Sequence, residues 1–357
     1  MKKILYITTG IQGSGGVSRI LSVKLNYLLN YYNYEIVVIN SNYIKAPFFY
    51  DFSKSIKFYH IQHDTFFSFK NKVLEVVERE NPNVVVNCDN GLKGTLLTYF
   101  FKKNIPIVYE RHCGKYINSS GIIDFLKLKL SNVLLDRIIM RYRLFVVLNK
   151  QEKQTWQGSN LEVIPNPLWF DPPLKVNKLE SRFVVAVGRQ SVEKRYDKLL
   201  RIWKDVVKQY PDWILKIYGE KNEKLKLDEL VSKLKLKDNV KFFDPVSNVE
   251  EIYTQASMLL TTSESEAFGL VLLEAMAHSI PVVAFNGTSG TDMLIQDNIN
   301  GFLVEKNDFN MFIEKVCFLI NDKDSKKLLG NRAKSFAKEF EIKSIMQQWD
   351  NLFQSIS

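Results

Sequence analysis

The stretch that decides the fold runs from residue 263 to residue 284 and has the sequence SESEAFGLVLLEAMAHSIPVVA. An apolar strand is predicted just before it, and a polar turn carrying Glu266 follows. Gly269 permits close approach of the backbone, a helix is predicted from about Leu270 to His278, and Pro281 opens the next strand. This order of strand, turn, helix and strand predicts a βαβ unit in a parallel sheet.

Short β-branched runs separated by helical stretches recur along the chain in two sets. They predict two parallel sheets that are buried on both faces, which is an α/β fold with two Rossmann-like halves. The connector from Ile164 to Pro173 contains four prolines, which forbid a helix, so we place the domain boundary there. The predicted strands are Lys3–Thr8, Glu35–Ile39, Val84–Asn87, Pro106–Tyr109, Leu144–Leu148, Leu161–Ile164, Phe183–Val187, Trp213–Tyr218, Val240–Phe243, Met258–Thr261 and Pro281–Phe285.

Composition sets broad limits on the function. The 357 residues are 46% hydrophobic and 25% charged, which is globular usage and excludes a disordered chain. No stretch approaches the ~18 apolar residues of a membrane span. Cys88, Cys113 and Cys317 are odd in number and far apart, which favours a reducing cytoplasm over a disulfide framework.

The net charge of +10 favours an anionic partner, namely nucleic acid, an anionic membrane face or a phosphorylated small molecule. No zinc-finger, helix-turn-helix or RNP signature accompanies the charge, so we expect no nucleic acid. The run Phe125–Arg143 holds five Lys or Arg residues among apolar ones, and it fits either a buried helix or a peripheral contact with an anionic membrane.

Three motifs indicate a nucleotide-sugar site. The helix that starts near Leu270 points its free N–H groups at the carboxyl edge of the sheet, where a phosphate would be held. Carboxylates such as Glu266 and Glu274 accept hydrogen bonds from sugar and ribose hydroxyls. Arg189 and Lys194 follow the first strand of the second set, where they can neutralise a diphosphate. A glycine-rich turn from residue 10 to residue 16 is the third motif.

Together these residues resemble the family 4 retaining glycosyltransferases of the GT-B fold, and the resemblance covers essentially the whole chain. It implies an α/β fold with two Rossmann-like domains that face each other across a cleft. Residues 1–167 would bind the acceptor and residues 168–338 the donor, while a helix in 339–357 would pack back on the first domain. The family's roles imply that Glu266 contacts the donor sugar hydroxyls and that Glu274 holds the ribose. The backbone that meets the sugar and phosphate would be that of Phe268, Gly269 and Leu270.

Further residues match the family outside this segment. Arg189 and Lys194, with Gly188 beside them, match its diphosphate pair. His112 lies where the family often has a histidine beside the transferred sugar, and its N-terminal double glycine corresponds to Gly15 and Gly16. The chain departs from the family in two places, each of which commonly holds a glycine. Arg195 follows the lysine, where it adds a charge near the phosphates, and Asp244-Pro245 follows Phe243, where it alters the contacts with the base.

The resemblance implies transfer of a sugar, with a UDP-sugar favoured, to a hydroxyl of a saccharide or lipid-linked saccharide in bacterial surface polysaccharide synthesis. No metal cofactor is expected. The protein would act in the cytoplasm, either free or bound peripherally to the inner face of the membrane. A nucleotide-sugar epimerase of the same architecture and a non-catalytic nucleotide-sugar-binding partner remain as alternatives. We interpret the pair His60 and His63 and the segment Asp322-Lys-Asp324 as structural rather than metal-binding. NAD binding is disfavoured because the second strand ends at Asn40 instead of an acid.

Overall fold

The computed structural model describes residues 1–43, 45–101, 104–115, 133–173 and 179–356. The chain forms two compact domains. The N-terminal domain comprises Met1–Pro167 together with Ile342–Ser357, and the C-terminal domain comprises Leu168–Glu341. The predicted boundaries lie after residues 167 and 338. Each domain is built on one parallel sheet, so the α/β class and the two Rossmann-like domains are confirmed.

The N-terminal sheet has seven strands, β1 (Lys3–Thr9), β2 (Glu35–Ser41), β3 (Lys57–Ile61), β4 (Val84–Asn87), β5 (Ile107–Glu110), β6 (Leu144–Val147) and β7 (Leu161–Val163). Their order is β3-β2-β1-β4-β5-β6-β7, and every neighbouring pair is parallel. The chain changes direction across the sheet between β1 and β4, which makes a topological switch point at their carboxyl ends. Its helices include α1 (Gly16–Tyr32), α2 (Phe66–Glu80), α3 (Leu92–Leu96) and α4 (Lys150–Thr155).

The C-terminal sheet has six parallel strands, β8 (Phe183–Val187), β9 (Ile214–Tyr218), β10 (Val240–Phe243), β11 (Leu259–Thr261), β12 (Val282–Phe285) and β13 (Gly301–Val304). Their order is β10-β9-β8-β11-β12-β13, so the switch point lies between β8 and β11. Its helices are α5 (Tyr196–Gln209), α6 (Leu227–Lys233), α7 (Glu250–Gln255), α8 (Leu270–Ala277), α9 (Ser289–Leu294), α10 (Phe309–Asn321) and α11 (Lys323–Ala337).

The last helix, α12 (Ile342–Ile356), belongs to the N-terminal domain, where it packs against α1. Its apolar stripe is buried through Ile345, Met346, Trp349 and Phe353. The Phe353 ring meets the Tyr34 ring edge-on, with centroids 5.9 Å apart. The chain therefore returns to its first domain to cover an apolar face that α1 alone leaves open.

Every strand predicted from the sequence is present, with ends that differ by at most two residues. Two strands of the structure, β3 and β13, were not predicted from the sequence. The edge strand β3 has adjacent aromatic residues between polar ones, without a clear alternation, and is only partly buried, while β13 begins at Gly301, a residue typical of turns. A Cβ atom at Gly301 would lie 2.8 Å from the carbonyl oxygen of Val282, so close strand approach requires glycine here. None of the helices in the described part of the chain is long and apolar enough to cross a membrane.

Candidate active site

Two loops meet at the switch point of the C-terminal sheet. One joins β8 to α5 and carries Lys194, and the other joins β11 to α8 and carries Glu266. The Glu264 N–H donates to the carbonyl of Glu193 at 2.7 Å, and the Thr262 hydroxyl donates to the carbonyl of Lys194 at 3.2 Å. These bonds fix the two loops against each other, so the side chains they carry have defined positions.

Lys194 and Glu266 form an ion pair, with the ammonium donating to Oε1. The side chains are 17% and 13% exposed, so the pair is partly shielded but open to a ligand. A Cβ atom at Gly188 would lie 2.7 Å from Cε of Lys194, which means that the lysine occupies space that a side chain at position 188 would take. The structure thus brings three predicted site residues together at the carboxyl edge of the sheet.

Arg189 lies on the same loop and is exposed. It makes no ion pair with any residue that the structure describes. Its side chain lines a cavity of about 460 Å³ together with Gln190, Glu193, Lys221 and residues of the turn after β9. An unpaired guanidinium at the edge of a cavity can bind a phosphate with two parallel hydrogen bonds.

A second cavity of about 410 Å³ shares Gln190 and Lys221 with the first. Phe243 and Asp244 line it, and the Phe243 ring stacks on the Tyr218 ring with centroids 4.6 Å apart. The departure at Asp244-Pro245 therefore lies in the wall of a cavity next to Arg189.

The start of α8 is held by a loop that the sequence analysis did not single out. Gly269 has φ of 84°, which suits glycine, and it is the residue that caps α8. The N–H of Gly290 donates to the carbonyl of Glu266 at 2.8 Å, and a Cβ at Gly290 would lie 2.7 Å from the backbone of Phe268. The Phe268 side chain itself is buried, so only its backbone can meet a ligand. The spacing Gly287-Thr-Ser-Gly290, which runs into the short helix α9, was the available signal for this second turn.

Glu274 lies inside the C-terminal domain and is 6% exposed. Its Oε1 accepts a hydrogen bond from the Trp169 indole N–H at 2.7 Å, and its Oε2 accepts from the Tyr253 hydroxyl at 3.2 Å. For the predicted ribose contact of Glu274, this means that the carboxylate is buried and already accepts hydrogen bonds from two protein donors. A ribose hydroxyl would have to share this carboxylate with them.

The glycine-rich turn of the N-terminal domain follows β1 at its switch point. Gly15 caps α1 and Gly16 is its first residue. A Cβ atom at Gly13 or Gly15 would meet nothing within 4 Å, so the turn faces open space at the start of a 17-residue helix. Asn40, at the end of β2, donates to Gln12 of this turn at 3.1 Å. The turn can therefore approach a ligand closely, while the acid that NAD binding requires is replaced by an amide.

His112 lies just after β5 and has a side chain that is only 3% exposed. Its Nε2 is 3.4 Å from Oε1 of Glu110 and has no hydrogen-bond partner among the described residues. Burial lowers the pKa of His112 although Glu110 acts to raise it, so the imidazole is neutral at neutral pH. The predicted sugar contact of His112 is therefore limited to whatever part of the ring a ligand can reach.

A buried ion pair lies behind His112. The Lys24 ammonium donates to Oε2 of Glu110, and the two side chains are 0% and 1% exposed. The same oxygen accepts from the Cys88 thiol at 3.4 Å, and the Trp349 ring lies 3.9 Å from Lys24 Nζ. Burial acts to raise the pKa of Glu110, but the charge of the Lys24 ammonium lowers it overall, so the carboxylate stays ionised.

Comparison with known proteins identifies the C-terminal half of the chain. Residues 171–336 match the family described as glycosyl transferases group 1, which is nearly the whole C-terminal domain. That domain is a group 1 glycosyltransferase domain.

The similarity extends beyond this domain. An uncharacterized glycosyltransferase of Haemophilus influenzae is 28% identical, with 99% of this chain and 100% of the relative covered. The amylovoran biosynthesis glycosyltransferase AmsD of Erwinia amylovora is 25% identical, with 99% of each chain covered. The crystal structure of Anabaena HepE in complex with UDP-glucose has a TM-score of 0.79 at 17% identity and covers 99% of this chain and 100% of that one. The fold is the GT-B fold of such enzymes.

Arg195 stands where the family commonly has glycine, and its contacts in the C-terminal domain show how the chain accommodates it. This residue has φ of 49°, a left-handed conformation in which glycine is strained least, so the family's usual glycine suits the backbone here. Arg195 forms two hydrogen bonds of 2.9 Å with Asp197 and one of 2.6 Å with Glu264. Its charge is therefore neutralised by protein carboxylates.

Metal-ligating groups are scarce in the described residues. The single cluster of three potential ligands there is Cys88, Glu110 and His112 in the N-terminal domain, and the Lys24 ammonium already neutralises its carboxylate. Asp322 accepts from the Ser325 N–H at 2.9 Å and caps α11. His60 stacks on Tyr43 and His63 contacts Lys93 at 2.8 Å. Residues 125–132 of the run Phe125–Arg143 lie outside the described residues, which resume at residue 133.

Replacing Glu274 with Gln is expected to weaken donor binding and to lower stability by about 1–3 kcal/mol. The reason is that an amide can accept from Trp169 or from Tyr253 but presents N–H groups to the other donor. Chemical denaturation and calorimetric titration with the donor measure the two effects. Trp169→Phe is the matched control, since it removes one donor and leaves the carboxylate. Unchanged donor affinity in Glu274→Gln would refute its role as a ribose ligand.

Proposed function

We propose that the protein moves a sugar from a nucleotide diphosphate donor, with a UDP-sugar favoured, to a hydroxyl of a saccharide or lipid-linked saccharide acceptor. The transfer retains anomeric configuration, as in the family 4 enzymes that the chain resembles. The observation that carries this proposal is the Lys194–Glu266 pair at the switch point of the C-terminal domain, with the exposed Arg189 on the same loop as Lys194. Two cations and an acceptor carboxylate there suit a diphosphate joined to a sugar.

The relatives support the substrate classes. AmsD is named for amylovoran biosynthesis, and HepE has been crystallised with UDP-glucose. A role in bacterial surface polysaccharide synthesis and a UDP-sugar donor follow for this chain as parts of the proposal. The free thiols of Cys88, Cys113 and Cys317 agree with the cytoplasmic location that we propose.

The proposed reaction needs no protein nucleophile. The bond between the anomeric carbon and the diphosphate oxygen breaks, while the acceptor oxygen bonds to the same face of that carbon. A phosphate oxygen of the leaving group takes the acceptor proton, and Arg189 and Lys194 stabilise the negative charge that grows on the diphosphate. As Lys194 turns to the phosphate, Glu266 loses its cation and is free to accept hydrogen bonds from sugar hydroxyls.

The test is a screen of nucleotide sugars for slow hydrolysis, followed by reactions with saccharide and lipid-linked acceptors. A transferase releases nucleotide diphosphate faster when the acceptor is added, and NMR of the product gives its anomeric configuration. An epimerase would release the diphosphate at a rate that does not depend on the acceptor, and it would form no glycosylated acceptor. Binding of a nucleotide sugar without any turnover would identify a non-catalytic partner and contradict the proposal.

Activity is expected to persist after metal removal. Arg189 and Lys194 supply the positive charge that a divalent cation supplies in metal-dependent transferases, and Asp322 is occupied as a helix cap. Initial rates with and without EDTA, and after adding Mg²⁺ or Mn²⁺, measure this. A rate abolished by EDTA and restored by either ion would contradict the expectation.

A further inference from the structure

The N-terminal domain carries exposed aromatic rings beside basic side chains. Three rings are well exposed, with fractions of 67% for Phe67, 46% for Tyr99 and 39% for Phe100. We call the following set the aromatic patch: Phe66, Phe67, Lys70, Tyr99, Phe100 and Arg141. Contiguous exposed apolar surface of this kind marks interaction sites, because single chains rarely leave it open to water.

The patch is continuous. The Phe66 ring lies 6.0 Å from the Phe67 ring and 5.7 Å from the Phe100 ring. Lys70 Nζ lies 5.6 Å and 5.0 Å from the Phe67 and Phe100 rings, respectively. Tyr99 immediately precedes Phe100 in the sequence, and the Arg141 guanidinium lies 4.3 Å from the Tyr99 ring. Rings and cations therefore alternate on one surface formed by α2 and the segment after α3.

Phe66 packs against the core of the domain, but helix packing does not require the Phe67 ring. The buried face of α2 consists of Phe69, Val73, Val76 and Val77 with Glu80, and Phe67 lies off that face. A polar residue at position 67 would serve the fold equally well, so the exposed phenyl ring calls for an apolar partner.

The charges of α2 are sorted along its length. Lys70 and Lys72 lie in its first half, while Glu75, Glu78 and Glu80 lie in its second half together with Arg79. Cations near a helix N-terminus oppose the helix dipole, so this arrangement does not stabilise the helix. Neither lysine forms an ion pair with a carboxylate in the part of the chain that the structure describes. Asp64 lies just before α2, and Lys70 and Lys72 outnumber it, which leaves the aromatic end of α2 basic.

We propose that the aromatic patch docks the protein on an anionic membrane surface. Aromatic rings suit the boundary between headgroups and acyl chains, and Lys or Arg beside them suits anionic headgroups, so the chemistry of the patch fits a lipid surface as a whole. The net charge of +10 also attracts the whole protein to an anionic surface at longer range. This inference rests on the proposed function in one respect, since a membrane-borne acceptor explains why such an enzyme binds lipid.

The position of the patch agrees with that use. Helix α2 follows β3 and α3 follows β4, so both begin at the carboxyl edge of the N-terminal sheet. The glycine-rich turn, which follows β1, lies at the same edge. Phe66 and Phe67, at the start of α2, therefore place one end of the patch on the side of the domain where parallel sheets bind ligands, while Arg141, just before β6, lies toward the opposite edge.

The experiment is co-sedimentation of the full chain with vesicles of phosphatidylcholine, with or without phosphatidylglycerol, at low and high salt. The wild type should bind the anionic vesicles at low salt and be released at high salt. Phe67→Ser/Phe100→Ser and Lys70→Glu/Lys72→Glu should each lower the partition coefficient by about tenfold or more. Matched controls lie in the other domain, with Phe318→Ser for an exposed ring and Lys233→Glu for an exposed cation. The controls should keep wild-type binding.

Two outcomes would overturn the inference. Equal losses in Lys70→Glu/Lys72→Glu and a double control, Lys233→Glu/Lys237→Glu, would assign the binding to general charge. A patch variant that binds vesicles normally but converts a dimer to a monomer in sedimentation velocity would assign the patch to a second copy of this chain. Donor hydrolysis by the wild type and by the same variants is measured in solution without vesicles. If the wild type hydrolyses no donor, the proposed function fails, whatever the result with vesicles.

Discussion

Replacing Lys194 with Ala is expected to lower kcat by about two to three orders of magnitude, with a smaller change in KM. The lysine stands beside Glu266 at the switch point, and we propose that its charge meets the diphosphate only as that group leaves. Such an interaction stabilises the transition state more than the ground state, so its loss falls on kcat. Steady-state kinetics with a saturating acceptor measure both constants.

Lys306→Ala is the matched control for this variant. Lys306 lies 3.9 Å from Glu264 and is 43% exposed, so it is a cation of the same region that the proposed reaction does not use. Its kcat should stay within about threefold of wild type, as for most exposed charges. A Lys194→Ala enzyme with the same small change would show that the lysine only orders Glu266.

The core of the candidate site could be predicted because each of its residues lies in a short motif that comes after a buried strand. Lys194 and Glu266 each follow a recognisable buried strand, and parallel strands that flank a switch point bring their following loops together. Local pattern and topology were sufficient for the approach of the two loops. The direct ion pair between them depends on side-chain geometry, which no sequence pattern contains.

Other features depend on partners that are distant in the chain. Glu274 is held by Trp169, 105 residues earlier, and that contact moves its carboxylate into the interior. Lys24 lies on a helix where a lysine is normally exposed, but Glu110 and Trp349 bury it. The exposed ring of Phe67 belongs to an aromatic stretch with no clear period, so the sequence did not distinguish a surface from a core.

Replacing Lys24 with Met is expected to lower the free energy of unfolding of the N-terminal domain by about 3–5 kcal/mol. The variant leaves the Glu110 carboxylate buried with only the Cys88 thiol and the His112 ring beside it. Both remaining groups are neutral, so the cost of holding the charge away from water is no longer offset. Urea denaturation followed by tryptophan fluorescence measures the change, since Trp349 contacts Lys24.

The double variant Lys24→Met/Glu110→Leu separates the ion pair from simple packing. Removing both charges removes the unpaired carboxylate, so the double variant should be more stable than Lys24→Met alone and close to wild type. Lys57→Met is the matched control, because Lys57 pairs with Glu80 at 2.5 Å but is 54% exposed. Its loss should be about 1 kcal/mol or less. If Lys24→Met lowers the free energy of unfolding no more than Lys57→Met does, water or a rearranged side chain must reach Glu110. The buried ion pair next to His112 would then not exist in solution.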